Sequence, residues 1–453
     1  MTHKGELSAK ELKKLSKRIA DAAAKENEAE VQAGLKPLLH AQQHQEDAAL
    51  CLLTLVKEAG LPHEMALDIL AQVFESHSQN LTVLALLGDA LEQAKDIDML
   101  NAPPPEHPLF QKVADTLVAF AAKTKGTEDE VRTLEGLATA ARMLARQRDE
   151  LAESAYRRLV ELEPERPGPH YNLGLLYKTR GRFAEGVIAN QTAAKLAKKP
   201  VESYQWNLGI CATGAGQGEV ALAVWKQLEQ RIKMGRFGLP EGGYPMCKVR
   251  LAERPLAERT AASDDPGLEE TIWIERLSPC HGIIRSVLYQ QLGVDYGDVI
   301  LMDGAPITYH TYGDKKIPVF PHLATLVKNH YRFFDFAGTQ EEKGQLGDIS
   351  RDLERDAIVY SHTENYVTLC ANCWRERSVD HEHKATLAKH VIAGRVAAPP
   401  DLDVKELLRQ LDAAMSSRES CHLYVPQLCE AAGLAERAAV EQRRFNMIRS
   451  AIE

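Results

Sequence analysis

Two cysteines three positions apart, Cys370 and Cys373, are the sharpest chemical signal in the chain. A Cys-x2-Cys turn can place two thiolates on one ion, and His381 or His383 could complete a tetrahedral set around a structural zinc. His362 and His390 are spare ligand candidates. The same spacing also serves redox chemistry, although no thioredoxin-like βαβ pattern precedes it, and it is equally satisfied by two unligated thiols. A second constellation is Leu277-Ser-Pro-Cys280-His281-Gly282, where a thiol beside an imidazole in a turn has the composition of an activated nucleophile. Adjacent residues on a strand point to opposite faces, however, and Cys421-His422 repeats the dipeptide. A third comprises Asp295, Asp298 and Asp303, close to turn formers. These acids could bind a cation or exchange protons, or simply make hairpin turns. No phosphate-binding Gly-x4-Gly-Lys-Ser/Thr, dinucleotide Gly-x-Gly-x2-Gly, His-Glu-x2-His or Gly-x-Ser-x-Gly occurs, so nucleotide-dependent and common hydrolase chemistry lack a motif. No catalytic residue is assigned.

These residues sit among short β-branched runs. Thr271 to Leu277, Gly282 to Tyr289 and Asp298 to Met302 are each bounded by Pro, Gly or Asp, as strands should be. Ile358 to Tyr360 and Tyr366 to Leu369 read as another strand pair. Val404 to Ser416 and Ala435 to Ile452 read as amphipathic helices. The region 269–453 is therefore expected to be an α+β domain entered by consecutive strands. Aromatic residues agree, with 15 after position 267 and 12 before it in a longer stretch. Residues 236–268 are rich in Gly, Pro, Ser and Asp and read as a linker.

Upstream, from 31 to 235, the helical period dominates, and breaks recur at Gly60-Leu-Pro62, Lys125-Gly126, Glu163 to Pro169, Gly181 and Gly214 to Gly218. Asn172-Leu-Gly174 returns as Asn207-Leu-Gly209, 35 residues later. In the unit that starts at Pro167, Leu173, Gly174 and Tyr177 occupy helix A, and Gly186, Asn190 and Ala193 helix B. The unit from Thr133 has Ala152, Tyr156, Leu159 and Pro164 on helix B. The unit from Glu202 carries Leu208, Gly209, Ala221 and Trp225, and a weaker unit covers 47–80. This half resembles the tetratricopeptide repeat (TPR) family, whose 34-residue helical hairpins stack into a solenoid with a concave face. The resemblance implies a mainly α fold, with an N-terminal TPR-like helical-hairpin solenoid followed by the α+β domain. It also implies a groove that binds a protein or peptide. Tyr171, Asn172, Lys178 and Asn207 are the groove residues it points to, because asparagine offers both a donor and an acceptor to an extended backbone. The second places of helix A hold Leu134, Gly168 and Ser203, so the basic half of a carboxylate clamp is missing. The alternative to a groove is that the asparagines satisfy local hydrogen bonds.

Residues 1–30 read as a leading basic helix with its lysines on a solvated face. The chain as a whole has a net charge of -9, which argues against generic nucleic-acid binding. Its longest near-apolar run, Ala48 to Val56, has nine residues against the ~20 that a bilayer demands. Eight cysteines without an apolar leader point to reduced thiols in a cytoplasmic setting. The expectation is a protein- or peptide-binding scaffold. The competing expectation is an enzyme that uses Cys280 or a metal at Cys370 and Cys373, with the solenoid recruiting substrate.

Overall fold

The computed structural model describes residues 6–94, 107–312, 315–342, 344–362, 391–418 and 420–450. The chain divides into two compact units, Met1–Gln230 with Leu256–Pro266, and Arg231–Pro255 with Gly267–Glu453.

The first unit is a run of helical hairpins: α1 (Ala9–Ala23) with α2 (Glu28–Ala41), α3 (Glu46–Glu58) with α4 (His63–His77), and α5 (Leu81–Ala90) with α6 (Pro108–Thr124). Next come α7 (Glu130–Met143) with α8 (Asp149–Leu162), α9 (Pro167–Thr179) with α10 (Phe183–Leu196), and α11 (Glu202–Gly214) with α12 (Gly218–Gln227). Consecutive odd-numbered helices from α1 to α7 pack on one another, as do α9 and α11, which is the layering of a TPR-like stack. One continuous apolar core runs from Leu12 to Ala189. It exists because each hairpin has an apolar face that only its neighbours can cover.

The leading helix departs from expectation. α1 is the first half of the first hairpin, with Leu12, Ile19 and Ala22 buried. Gly34 lets it approach α2 so closely that a Cβ there would lie 2.6 Å from Ile19 Cγ1. Its lysines Lys10, Lys13, Lys14 and Lys17 are exposed on the opposite face.

The expected linker is also corrected. Within 236–268 lie β2 (Pro240–Gly242), which pairs with β1 (Ile232–Met234), and β3 (Cys247–Ala252). The Gly/Pro-rich stretch is a hairpin turn, and Cys247, Val249 and Leu251 alternate into a core. β3 is followed by β4 (Glu269–Arg276), β5 (His281–Ile284), β6 (Val299–Met302), β7 (Thr308–Tyr312) and β8 (Lys315–Val327). The order is β3-β4-β5-β6-β8-β7, and a parallel β3–β8 pairing closes five of the strands into a barrel, with β7 on its flank. Ile272, Ile274, Ile284, Ile300 and Met302 fill it.

A second sheet, of order β10-β11-β9-β12, comprises β9 (Arg332–Gln340), β10 (Ile358–Ser361), β11 (Val391–Ala398) and β12 (Cys421–Tyr424). It packs with α13 (Gln345–Asp352), α14 (Val404–Ser416), α15 (Pro426–Ala431) and α16 (Ala435–Arg449). The fold is thus mainly α, a TPR-like helical unit followed by an α+β one. Among the described residues, no helix is long and apolar enough to cross a membrane.

Candidate binding cleft

Small residues set the spacing of the helical stack. A Cβ added at Gly174 would lie 2.4 Å from Nδ2 of Asn190, and one at Gly209 would lie 2.5 Å from Trp225 Cζ2. Trp225 and Asn190 are both fully buried. Bulky groups on each second helix therefore reach the backbone of the first, and the hairpins close tightly enough to present their odd-numbered helices as one surface.

That surface carries a cleft of about 490 Å³ over α3, α5, α7 and the start of α9. Its floor includes Leu50, Ala85, Leu86, Tyr156 and Leu159. Its rim is charged, and most of the charges pair across hairpins. Lys57 is paired with Asp89, whose Oδ1 also accepts from Thr139 Oγ1 at 3.3 Å. Arg166 spans to Glu135 at 2.5 Å and to Glu163 at 2.8 Å. Arg132 donates to Thr82 Oγ1 at 3.3 Å and lies 3.4 Å from Asp129, with its side chain 53% exposed. Ion pairs this exposed are worth ~0–1 kcal/mol each.

The four residues expected at the groove separate. Asn172 lines the cleft, and its amide has no partner among the described residues. Asn207 does not share this role: its Nδ2 donates to Tyr171 Oη at 3.2 Å and to the Ser203 carbonyl at 2.9 Å. Tyr171 also packs on Tyr204, with ring centroids 4.6 Å apart and planes tilted by 35°. Lys178 is buried and lies outside the cleft lining. The cleft residues that sequence reasoning missed, Lys57, Asp89, Arg132, Glu135 and Arg166, carry a readable signal. Arg132, Glu135 and Thr139 follow i, i+3, i+7 spacing, as do Thr82, Ala85 and Asp89, so each set shares one helix face.

In the second unit, Cys370, Cys373, His381 and His383 lie outside the described residues, as does His390. Among the described residues, no group of three or more His, Cys, Asp or Glu side chains is placed to hold a metal. Cys280 and His281 are fully buried at the barrel wall. The imidazole engages Ser278 rather than the thiol, with Nδ1 2.5 Å from Ser278 Oγ. Ser278 Oγ also accepts the backbone N–H groups of Cys280 and His281 at 3.2 and 3.1 Å, so it closes the turn. Burial pushes the His281 pKa down to about 4. Among the described residues, this arrangement is a buried, sealed hairpin turn.

The aspartates also organise turns. Asp295 Oδ1 accepts from the backbone N–H groups of Leu288 and Tyr296 at 2.9 and 2.8 Å, and Oδ2 lies 3.1 Å from Arg395. Asp298 accepts from the amides of Asn329 and Asp295 at 2.8 and 3.1 Å. Burial raises the pKa of both carboxyls, but their oxygens are occupied by the loop they hold.

No family model matches the chain. No curated protein matches it either. Among solved structures, MamA from Desulfovibrio magneticus RS-1 is 16% identical over 39% of this chain and 93% of its own, with a TM-score of 0.28. BtubC (BKLC) from P. vanneervenii is 16% identical over 49% of this chain and 91% of its own, with a TM-score of 0.28. A tetratricopeptide repeat protein from Parabacteroides merdae ATCC 43184 is 14% identical over 49% and 93%, with a TM-score of 0.23. Scores this low carry no argument, and the repeat reading stands on the hairpins themselves.

Proposed function

We propose that this chain is a protein- or peptide-binding scaffold that takes an extended segment in the cleft over α3, α5, α7 and α9. The observation that supports this reading is the continuity of one strip across four successive first helices. The strip combines an apolar floor, weakly held cross-hairpin charges and the unpartnered Asn172 amide. An extended chain needs such a surface: side-chain pockets alternating with groups that can pair its backbone or its charges. A random peptide-display selection on the full chain tests it. Selected peptides should bind the Arg132→Ala/Asn172→Ala double variant at least ~10-fold more weakly, as the loss of ~1.4 kcal/mol requires. Equal affinities for both proteins would place binding elsewhere.

A structural zinc ion on Cys370 and Cys373, with His381 or His383, is a separate proposal that rests on the cysteine spacing. Metal analysis of the purified chain should give about one zinc per chain, lost on Cys370→Ser/Cys373→Ser, and a metal-free folded protein would end it. A cytoplasmic setting is in keeping with the six described cysteines, all of them free thiols.

A further inference from the structure

Arg146 follows α7, away from the cleft, in a short 3-10 turn of residues Ala145–Arg148. It is only 7% exposed, and the residue before it, Ala145, is held at a φ of +53°. Strain of this kind in a non-glycine residue persists where the surroundings fix it and clusters at sites that hold ligands. The α7–α12 helices give the buried guanidinium only a carbonyl, that of Thr179, accepting from Nη2 at 3.0 Å. The nearby Arg180 and Asp149 are already paired, at 2.7 Å.

The rest of the coordination of Arg146 comes from residues 256–266, which group with the helical unit although the chain on either side does not. Nε donates to the Arg259 carbonyl at 2.8 Å, Nη2 to the Leu256 carbonyl, and Nη1 to Asp264 Oδ1 at 2.5 Å. The Arg146 backbone N–H donates to Asp264 Oδ2 at 3.1 Å. Gly181, two residues past α9, allows the segment to approach: a Cβ there would lie 2.7 Å from the Ala257 carbonyl oxygen. Buried guanidinium, strained neighbour and closely approached glycine together hold this segment of the chain.

We propose that the Arg146 pocket is a second peptide-binding site, selective for a segment carrying one carboxylate and two free backbone carbonyls, and that residues 256–266 occupy it in cis as an autoinhibitory strap. The strap has one short 3-10 turn, Leu256–Glu258, buries Leu256, Ala257 and Arg259 and exposes Thr260, Ala261, Ala262 and Asp265, and the Asp264 carboxylate on Arg146 is the group a competing acidic segment would replace. The site shares no residue with the cleft lining, so it stands or falls apart from the function proposed above.

The test uses the full chain and a fluorescent peptide with the sequence of residues 256–266. Replacing those residues with a Gly/Ser segment of equal length should raise affinity for the peptide at least ~10-fold over wild type, the scale of a freed buried charge pair. Adding Arg146→Ala should abolish the gain. Equal weak binding by wild type and the replaced chain, or a gain that survives Arg146→Ala, overturns the proposal. Should the replacement not fold, Asp264→Asn in the otherwise native chain decides. Hydrogen exchange in 256–266 should then rise at least ~10-fold with α9 to α11 unchanged, and unaltered exchange in 256–266 overturns it.

Discussion

His281 separates a catalytic turn from a structural one through its titration. A catalytic imidazole at Cys280-His281 would titrate near neutrality, within reach of substrate. The buried imidazole here is held neutral, its pKa pushed down to about 4 by desolvation. In the unfolded chain it returns to about 6.5. Between those values the unfolded state takes up a proton that the native state refuses, so stability falls as pH drops from about 6.5 to about 4 and levels off below. At ~1.36 kcal/mol per pKa unit, the full interval is worth about 3 kcal/mol. Above pH 7 both states are neutral and the residue contributes no pH dependence. Urea unfolding of wild type and His281→Asn should therefore run parallel from pH 7 to 8 and diverge below pH 6, with wild type losing more. His310 is also pushed down to about 4, by burial and the Lys248 and Arg250 cations, and adds in the same direction, but it is present in both proteins and cancels. A direct check is the histidine ring resonance in the native chain, assigned by its loss in His281→Asn. A titration midpoint near 6.5, or identical acid slopes for the two proteins, would refute the sealed-turn reading and reopen nucleophilic chemistry at Cys280.

Three further outcomes follow from the helical unit. Gly209→Ala should destabilise it by about 1–2 kcal/mol, because overpacking the rigid Trp225 ring costs ~1–3 kcal/mol against at most ~1 kcal/mol of helix propensity gained. Gly168→Ala, with nothing within 4 Å of the new Cβ, should be neutral or stabilising by up to ~1 kcal/mol, and urea midpoints read by helical circular dichroism distinguish the two signs. Lys57→Ala should change stability by less than ~1 kcal/mol, since its pairing with Asp89 is at the surface, while still altering the affinity of cleft-bound peptides. A stability loss of several kcal/mol from Lys57→Ala would show the pair to be structural, and the cleft less adaptable than proposed.

Where the fold was legible, the signal was local. α14 spans Val404–Ser416 as its period implied, and Asp403 caps it by accepting from the amides of Lys405 and Glu406. The run from Gly282 to Tyr289 was half right. β5 stops at Ile284, and the amides of Tyr289 and Gln290 go instead to the Glu270 carboxylate, a partner about twenty residues away that no local pattern reveals. The surroundings of Asn207 were hidden for the same kind of reason. Its place on helix A was legible, but not that its Nδ2 donates to Tyr171 Oη of the preceding hairpin.

The groove's charges, however, could have been found with the period already in hand. Adjacent hairpins bring together residues roughly one repeat apart, and the polar links follow that interval. Lys57 meets Asp89 at a separation of 32, Asp149 meets Arg180 at 31, Asp115 meets Arg148 at 33, and Glu46 meets Asn80 at 34. In a single helix, opposite charges four apart are neighbours. In a helical solenoid, the corresponding rule applies at one repeat length. Scanning for opposite charges at 31 to 34 residues would have marked Lys57–Asp89 and Glu135–Arg166 as neighbours on one face, and so located the cleft. It would have missed Arg146 altogether, because the carboxylate of Asp264 lies 118 residues downstream, outside any repeat, as the partner of a site filled by an irregular strap must be.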